Sequence, residues 1–241
     1  MKWLSRIVCI VCIFSVLESV ERRSEVAHLK VSVVIPCHVK HFSKLKDLLN
    51  EYVYQTVVPD EVVVSLSGVG EFNLEQEEQL RNLERTNWPF ALKILVHEGH
   101  LSASANRNRA CEVAVGDVFV GQDADDIPHR QRIEAIKWFF EHYDVDLVQH
   151  AFKLSNDRRE LEFNIDVERL RFITLPEYET IYNVANGPNC ISRRVFAKIH
   201  WDNEVIHGED VLFNKTVYEH FSKTAIIYDP LYLYRWAGLN R

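Results

Sequence analysis

The chain has 241 residues, of which 47% are hydrophobic and 26% are charged, the composition of an ordinary globular protein with a packed core. Only 8 Gly and 7 Pro are present, which excludes collagen-like and low-complexity classes. The formal net charge is −7, from 28 basic and 35 acidic residues, and this balance argues against a protein held on nucleic acid by a basic face. An anionic small-molecule substrate remains compatible, because a bound cation can supply the missing positive charge.

Near the start of the chain, two basic residues are followed by a short apolar segment. Lys2 and Arg6 precede the apolar run 7–17, which as a helix would span roughly 16 Å, about half of a bilayer core. This pattern predicts a secretory signal peptide or an uncleaved signal-anchor over residues 1–23, with no clean cleavage site to decide between them. We therefore expect entry into the secretory pathway (Golgi or ER lumen or membrane), with membrane association through the leader. The alternative is a buried N-terminal strand.

The five cysteines do not form a recognisable framework. Cys9 and Cys12 lie in the leader, while Cys37, Cys111 and Cys190 are spread through the body without metal-ligand spacing. We interpret the last three as buried small apolar side chains, among which at most one disulfide could form.

From Lys30 onward, segments typical of strands alternate with segments typical of helices. β-branched runs predict strands at 31–35, 62–64, 92–96 and 118–120. Apolar spacing predicts helices at 45–53, 74–83, 105–114 (capped by Ser102 or Ser104) and 128–143 (Pro128 in its first turn). Four such repeats predict an α/β fold with a doubly wound, mostly parallel sheet.

The repeating pattern ends after a further strand at 147–149. Residues 153–185 are charged and irregular, and helices are predicted over 192–199 and from near Asp210. Nothing in the sequence is typical of an inter-domain linker. We therefore predict a single domain of residues 28–241 with an irregular C-terminal half.

Ligands of open α/β sheets bind at the carboxyl ends of the strands, and a group of carboxylates lies there. Asp123, Asp125 and Asp126 directly follow the fourth strand and repel one another unless a cation or a proton intervenes. A hard divalent ion uses one or two carboxylates together with phosphate oxygens and water. The cluster thus predicts a metal that docks a diphosphate; the alternative is a turn with a helix cap.

Two other segments carry candidate chemistry. Arg107 and Arg109 suit phosphate oxygens, although they could equally lie on a solvated helix face. Glu209 and Asp210 precede an apolar helix, where a carboxylate could act as general base or simply cap the helix. Zinc-protease, serine-hydrolase, dinucleotide and Walker motifs are not present in the sequence.

Taken in order, five segments resemble those of the inverting, family-2-type glycosyltransferases of the GT-A fold. Residues 31–36 resemble the first strand of that family, 55–64 its Gln-Thr…Pro-x-Glu approach to strand two, and 106–117 its Ala-Arg-Asn-x-Gly…Gly-Asp stretch. Residues 122–126 resemble the DxD motif and 208–210 the Glu-Asp motif. The resemblance covers residues 30–236.

The resemblance implies a GT-A-like fold whose irregular half forms the acceptor side. It implies inverting transfer from a nucleotide-diphosphate sugar, first of all a UDP-sugar, to a carbohydrate or glycoconjugate hydroxyl, without nucleic acid. Asp125 and Asp123 would hold manganese or magnesium, Asp210 would be the general base and Glu209 would orient the acceptor. The donor-binding residues implied in the same way are Pro36, His38, Ser67, Arg107, Asn108 and Asp123.

The sequence departs from the family pattern at three places. Leu66 and Ser67 stand where members carry Asp-Asp-Gly-Ser, Val39 stands for an Asn, and Ala237 stands for a His. Two alternatives therefore accompany the enzyme hypothesis: a degenerate nucleotide- or sugar-binding module of the same fold, and a nucleotidyltransferase. The latter normally has a Gly-rich loop after strand one, and residues 37–40 contain no Gly.

Overall fold

The computed structural model describes residues 20–175 and 177–235. Most of the predicted leader, residues 1–19, lies outside these ranges. Val20 is buried in the core, and the backbone of Arg23 and Ala27 bonds to the carbonyls of His142 and Glu141. The segment is thus attached to the body at Val20, Arg23 and Ala27, while most of its other residues are exposed. Among the described residues no helix has the length and apolar character needed to cross a membrane.

The N-terminal half is a parallel sheet with alternating helices, as predicted. Its elements are β1 (Val31–His38), α1 (Phe42–Val53), β2 (Glu61–Ser67), α2 (Leu74–Arg85), β3 (Ala91–His97), α3 (Ala103–Val113) and β4 (Val118–Gly121). The strands pair in the order β3-β2-β1-β4, all parallel. Ser102 caps α3 by accepting a hydrogen bond from Ala105 N at 3.1 Å. This parallel pairing places the ends of β1 and β4 side by side.

The C-terminal half extends the same sheet. It contains β5 (Ile127–Pro128), α4 (Arg132–His142), β6 (Leu147–Leu154), β7 (Phe172–Thr174), β8 (Cys190–Ser192), α5 (Arg193–Phe196), α6 (Glu209–His220) and β9 (Thr224–Tyr234). β8 lies antiparallel between β4 and β6, and β9 lies parallel to β6. Within the described ranges the strands form one nine-stranded sheet of mostly parallel direction.

The start of α4 differs from the sequence prediction. Pro128 was expected in its first turn, but it lies in β5 opposite Tyr232, and the helix begins at Arg132. Proline lacks an N–H group and is therefore tolerated in a short edge strand such as β5. The next residue, His129, supplies a backbone hydrogen bond to Leu231 O at 2.9 Å.

Apolar side chains cover both faces of the sheet. Val33 and Ile35 of β1 pack on the side of α1 and α4, whereas Val34 packs on the side of α3 and α6, following the two-residue period of a strand. Cys37, Cys111 and Cys190 are buried and free, which confirms their interpretation as small apolar side chains.

Candidate functional site

A cleft of about 320 Å³ lies at the carboxyl ends of β1 and β4 and reaches the start of α6. It brings together seven of the nine predicted site residues: Pro36, His38, Arg107, Asp123, Asp125, Glu209 and Asp210. A larger cleft, of about 750 Å³, lies between the end of α1 and the segment around Phe163, and none of the predicted residues lines it. The predicted site residues therefore cluster in the smaller cleft.

Arg107 is the centre of this cleft. It projects from α3, is only 5% exposed, and its Nη2 lies 3.0 Å from Asp123 Oδ1. Its Nη1 lies 2.9 Å from Asp210 Oδ1 and 3.3 Å from Glu209 Oε1. Burial alone would lower the pKa of Arg107, but the three carboxylates outweigh burial and hold that pKa above its usual value. One guanidinium thus ties the end of β4 to the start of α6.

Asp210 is held in a defined orientation beside Arg107. Its Oδ1 also accepts a hydrogen bond from Trp201 Nε1 at 3.1 Å, and the Trp201 ring stacks on Phe213 with centroids 3.8 Å apart. Burial raises the pKa of Asp210 to about 6, and the Arg107 charge opposes that rise. The carboxylate is therefore mostly ionised at neutral pH and able to take up a proton.

Gly187 separates the two carboxylate groups of the cleft. A Cβ at this position would lie 3.0 Å from Asp210 Oδ2 and 3.1 Å from Asp123 Oδ2, so any side chain would press on both. Arg132, fully buried, fixes this segment by donating to Pro188 O at 2.9 Å and to Gly121 O at 2.7 Å. The absence of a side chain at position 187 thus leaves room for the carboxylates of Asp123 and Asp210.

The loop after β4 is anchored to the end of β9. Asp126 is 3% exposed and accepts a hydrogen bond from Arg235 N at 2.8 Å. Burial, reinforced by the charge of Asp123, raises the pKa of Asp126 to about 8. The Arg235 side chain donates to the carbonyl of Asp125, and Asp123 N donates to Tyr232 Oη at 3.1 Å. These contacts fix the backbone of residues 123–126.

Asp125 is a partly exposed carboxylate of this loop that does not pair with Arg107. Its side chain is 26% exposed, and His41 Nδ1 lies 3.5 Å from its Oδ2. Among the described residues no group of three or more His, Cys, Asp or Glu side chains is arranged as a metal site. Mg²⁺ normally needs only one or two carboxylates, since substrate phosphates and water complete its shell. The residues present therefore fit a divalent ion whose coordination shell is completed by the oxygens of a diphosphate.

A pair of stacked histidines lies at the rim of the cleft. His38 Nε2 is 2.6 Å from His100 Nδ1, and His100 Nε2 is 2.6 Å from Glu71 Oε1. Lys40 N donates to His38 Nδ1 at 3.2 Å, so the proton of a neutral His38 lies on Nε2 and points to His100. Burial lowers the pKa of His38, and the neighbouring His100 lowers it further.

Two predicted donor-binding residues do not reach the cleft. Ser67 Oγ is buried and accepts a hydrogen bond from Asn106 Nδ2 at 3.0 Å. The amide of Asn108 bonds to Trp201 O at 2.8 Å and Trp201 N at 3.0 Å. These contacts are internal, and the contacts of Asn108 help to place the Trp201 indole that orients Asp210.

Sequence reasoning did not identify Trp201, Gly187, Arg235 or His41. Each contacts a predicted site residue or would crowd it, but none belongs to one of the recognised motifs. The Gly187-Pro188 pair was the one local signal, since such a pair marks a turn.

The sequence model of the family described as Glycosyl transferase family 2 matches residues 32–199. The chain belongs to glycosyl transferase family 2. The matched region contains Arg107, Asp123 and Asp125 and ends before Glu209 and Asp210. Comparison with curated protein sequences gave no match.

Solved structures share the fold of this family 2 chain. S. aureus TarS 1–349 has a TM-score of 0.64 and 22% identity, over 86% of this chain and 60% of that one. A complex of the same TarS fragment with UDP-GlcNAc also has a TM-score of 0.64, at 21% identity, over 86% of this chain and 58% of that one. The mannosyltransferase PcManGT from Pyrobaculum calidifontis, in complex with GDP-Man and Mn²⁺, has a TM-score of 0.60 and 17% identity, over 86% of this chain and 57% of that one. The chain thus spans about 60% of the TarS fragment, and the GT-A-like fold implied by the sequence motifs is confirmed.

Proposed function

We propose that this chain is an inverting glycosyltransferase that moves a sugar from a nucleoside diphosphate donor to an acceptor hydroxyl. The observation that carries the proposal is the single cleft that joins Asp125 at the end of β4 to Asp210 at the start of α6. Arg107 links the two sides. A group suited to the leaving diphosphate and a group suited to the attacking hydroxyl therefore face the same space.

In the proposed reaction Asp210 is the general base. Its carboxylate takes the proton of the acceptor hydroxyl while that oxygen forms a bond to the anomeric carbon. The bond from this carbon to the phosphate oxygen breaks, and the nucleoside diphosphate leaves with the electron pair. Glu209, beside Asp210 on the first turn of α6, would accept a hydrogen bond from a second acceptor hydroxyl and orient it.

A divalent cation, manganese or magnesium, would be held by Asp125 together with Asp123. When bound, such an ion neutralises the negative charge that develops on the leaving diphosphate. The complex of PcManGT with GDP-Man and Mn²⁺ supports this part of the proposal. His38, Pro36 and Arg107 line the same cleft and are proposed to contact the donor.

The donor is proposed to be a UDP-sugar and the acceptor a carbohydrate or glycoconjugate. TarS complexes with UDP and UDP-GlcNAc support the donor. The test incubates the purified protein with Mn²⁺ and a panel of UDP- and GDP-sugars and measures free nucleoside diphosphate. Donor binding without release would favour a degenerate binding module. Release of pyrophosphate from a nucleoside triphosphate and a sugar phosphate would favour a nucleotidyltransferase.

Removal of the metal is expected to abolish transfer. EDTA should stop release of nucleoside diphosphate and added Mn²⁺ or Mg²⁺ should restore it, because the cation offsets charge on the leaving group. Asp125→Asn should behave like chelation, since the amide keeps the shape of the carboxylate and loses its charge. The control is Asp202→Asn, an exposed carboxylate outside the cleft. Full activity in excess chelator would show that no metal takes part.

We also propose that residues 1–23 direct the chain into the secretory pathway as a signal peptide or signal-anchor, ahead of a single transferase domain at 28–241. Expressed in a eukaryotic cell, the full chain should fractionate with membranes or lumen. Replacing Ile10 and Phe14 by Lys interrupts the apolar run and should leave the protein in the cytosol. Recovery of the unsubstituted chain from the cytosol with residues 1–23 intact contradicts the proposal.

A further inference from the structure

His41 lies at a fixed position on the edge of the cleft. It ends a 3₁₀ turn, Val39–His41, and immediately precedes α1. Val39 and Phe42 on either side are buried, and the Phe42 ring packs on Phe72 with centroids 4.6 Å apart. These neighbours hold the backbone of His41 beside the DxD loop.

The Nδ1 atom of His41 is buried and has no hydrogen-bond partner among the described residues. Its neighbour is Asp125 Oδ2, at 3.5 Å, which is longer than an N–H···O hydrogen bond of about 2.7–3.2 Å. A buried polar atom without a partner is costly and calls for a physical explanation. Here the ring nitrogen and the carboxylate oxygen face each other across a short gap.

The gap matches the separation of two donor atoms on one cation. Metal–nitrogen and metal–oxygen distances of about 2.0–2.2 Å place neighbouring donors about 3 Å apart. The separation of 3.5 Å reaches this value after a small side-chain rotation. We propose that His41, through Nδ1, is a ligand of the divalent cation held by Asp125, an inference that rests on the proposed function.

An imidazole ligand has a consequence for metal preference. Imidazole nitrogen suits first-row transition ions, whereas Mg²⁺ prefers oxygen donors. A shell of the Asp125 and Asp123 carboxylates, one imidazole, diphosphate oxygens and water therefore favours Mn²⁺ over Mg²⁺. His41 would set this preference, because the other cation ligands from the chain are carboxylates.

The rival explanation is an ion pair between a protonated His41 and Asp125. In that case the imidazolium competes with the metal for the carboxylate, and removing it would leave the affinity for Mn²⁺ unchanged or higher. A ligand role predicts the opposite sign, so the two explanations are separated by one measurement.

The experiment uses the full chain with UDP and Mn²⁺. Electron paramagnetic resonance gives the Mn²⁺ affinity from the free ion signal, and pulsed measurements report a directly bound ¹⁴N nucleus. His41→Gln should lower the Mn²⁺ affinity at least 10-fold, since even outer partners of metal ligands contribute about 10–100-fold, and should remove the ¹⁴N signal. His220→Gln, an exposed histidine at the far end of α6, should change neither.

A second variant tests the metal preference. His41→Asp exchanges nitrogen for oxygen and should shift the ratio of Mn²⁺ to Mg²⁺ affinity toward Mg²⁺. If Asp125→Asn loses its affinity for Mn²⁺ as expected but the unsubstituted protein shows no ¹⁴N signal, the ligand role of His41 is overturned and the role of Asp125 stands. Unchanged Mn²⁺ affinity in Asp125→Asn places the ion elsewhere, and this inference then fails together with the metal part of the proposed function.

Discussion

Replacing Asp210 by Asn is expected to lower the turnover of transfer by about 10²–10⁴-fold, the usual contribution of a positioned general base. Asparagine has nearly the same shape, and its carbonyl oxygen can still accept from Trp201 Nε1, now 3.1 Å from Asp210 Oδ1. What it lacks is the ability to take the acceptor proton. The affinity for UDP with Mn²⁺ should change little, because Asp125 lies on the other side of the cleft.

The dependence of turnover and of stability on pH gives a second test of Asp210. Burial raises the pKa of Asp210 from 3.8 to about 6, so turnover should fall as the pH is lowered through about 6. The folded state binds the proton more tightly than the unfolded state, so stability is lost as pH rises from about 4 to about 6. Asp210→Asn removes this cost, and at neutral pH it should be at least as stable as the unsubstituted protein.

These expectations are checked by steady-state kinetics, calorimetric titration of UDP with Mn²⁺ and thermal unfolding of the same preparations. Asp202→Asn serves as the matched exposed control. Wild-type turnover in Asp210→Asn, or a product with the anomeric configuration of the donor, would show that Asp210 is not the base of an inverting transfer.

The parallel half of the fold could be predicted because its signals are local. β-branched runs and amphipathic spacing mark β1 to β4 and the helices between them, and β2 pairs with β1 and β3, its neighbours in sequence. β9 has a different character. Asp229-Pro230 in its middle reads as a turn, yet the strand runs from Thr224 to Tyr234 through shifts of register against β6. Its partner strand, more than 70 residues earlier in the chain, is what keeps it extended.

Sequence patterns could predict only those site residues that directly follow a strand or directly precede a helix. The pair Asp123 and Asp125 and the pair Glu209 and Asp210 satisfy this condition, and the structure places both pairs at one cleft. The contacts that define their chemistry are long-range: Arg107 and Glu209 are 102 residues apart, and Asn108 and Trp201 are 93 apart. No local pattern carries that information, because it arises from how the irregular half folds back over β4.

Loss of the Arg107 side chain is expected to have the largest effect on stability. Arg107→Met keeps most of the apolar stem but leaves Asp123, Glu209 and Asp210 without their shared cation. Removing one partner of a buried ion pair typically costs about 3–5 kcal/mol, because the remaining charge stays desolvated and uncompensated. Arg107→Lys should recover only part of this loss, since an ammonium cannot reach three carboxylates with the planar fork of a guanidinium.

The loss in Arg107→Met should depend on pH in a definite direction. Burial already raises the pKa of Asp210, and without the opposing charge of Arg107 this pKa rises further above that of the unfolded chain, so the variant loses stability as pH rises. Urea unfolding at pH 5 and pH 8 should therefore show a smaller deficit at pH 5. The control is Arg109→Met on the same helix, whose guanidinium contacts Ser65 Oγ and Val96 O instead of the carboxylates. A deficit of equal size at both pH values would contradict the electrostatic role of Arg107, and so would a variant as stable as the unsubstituted protein.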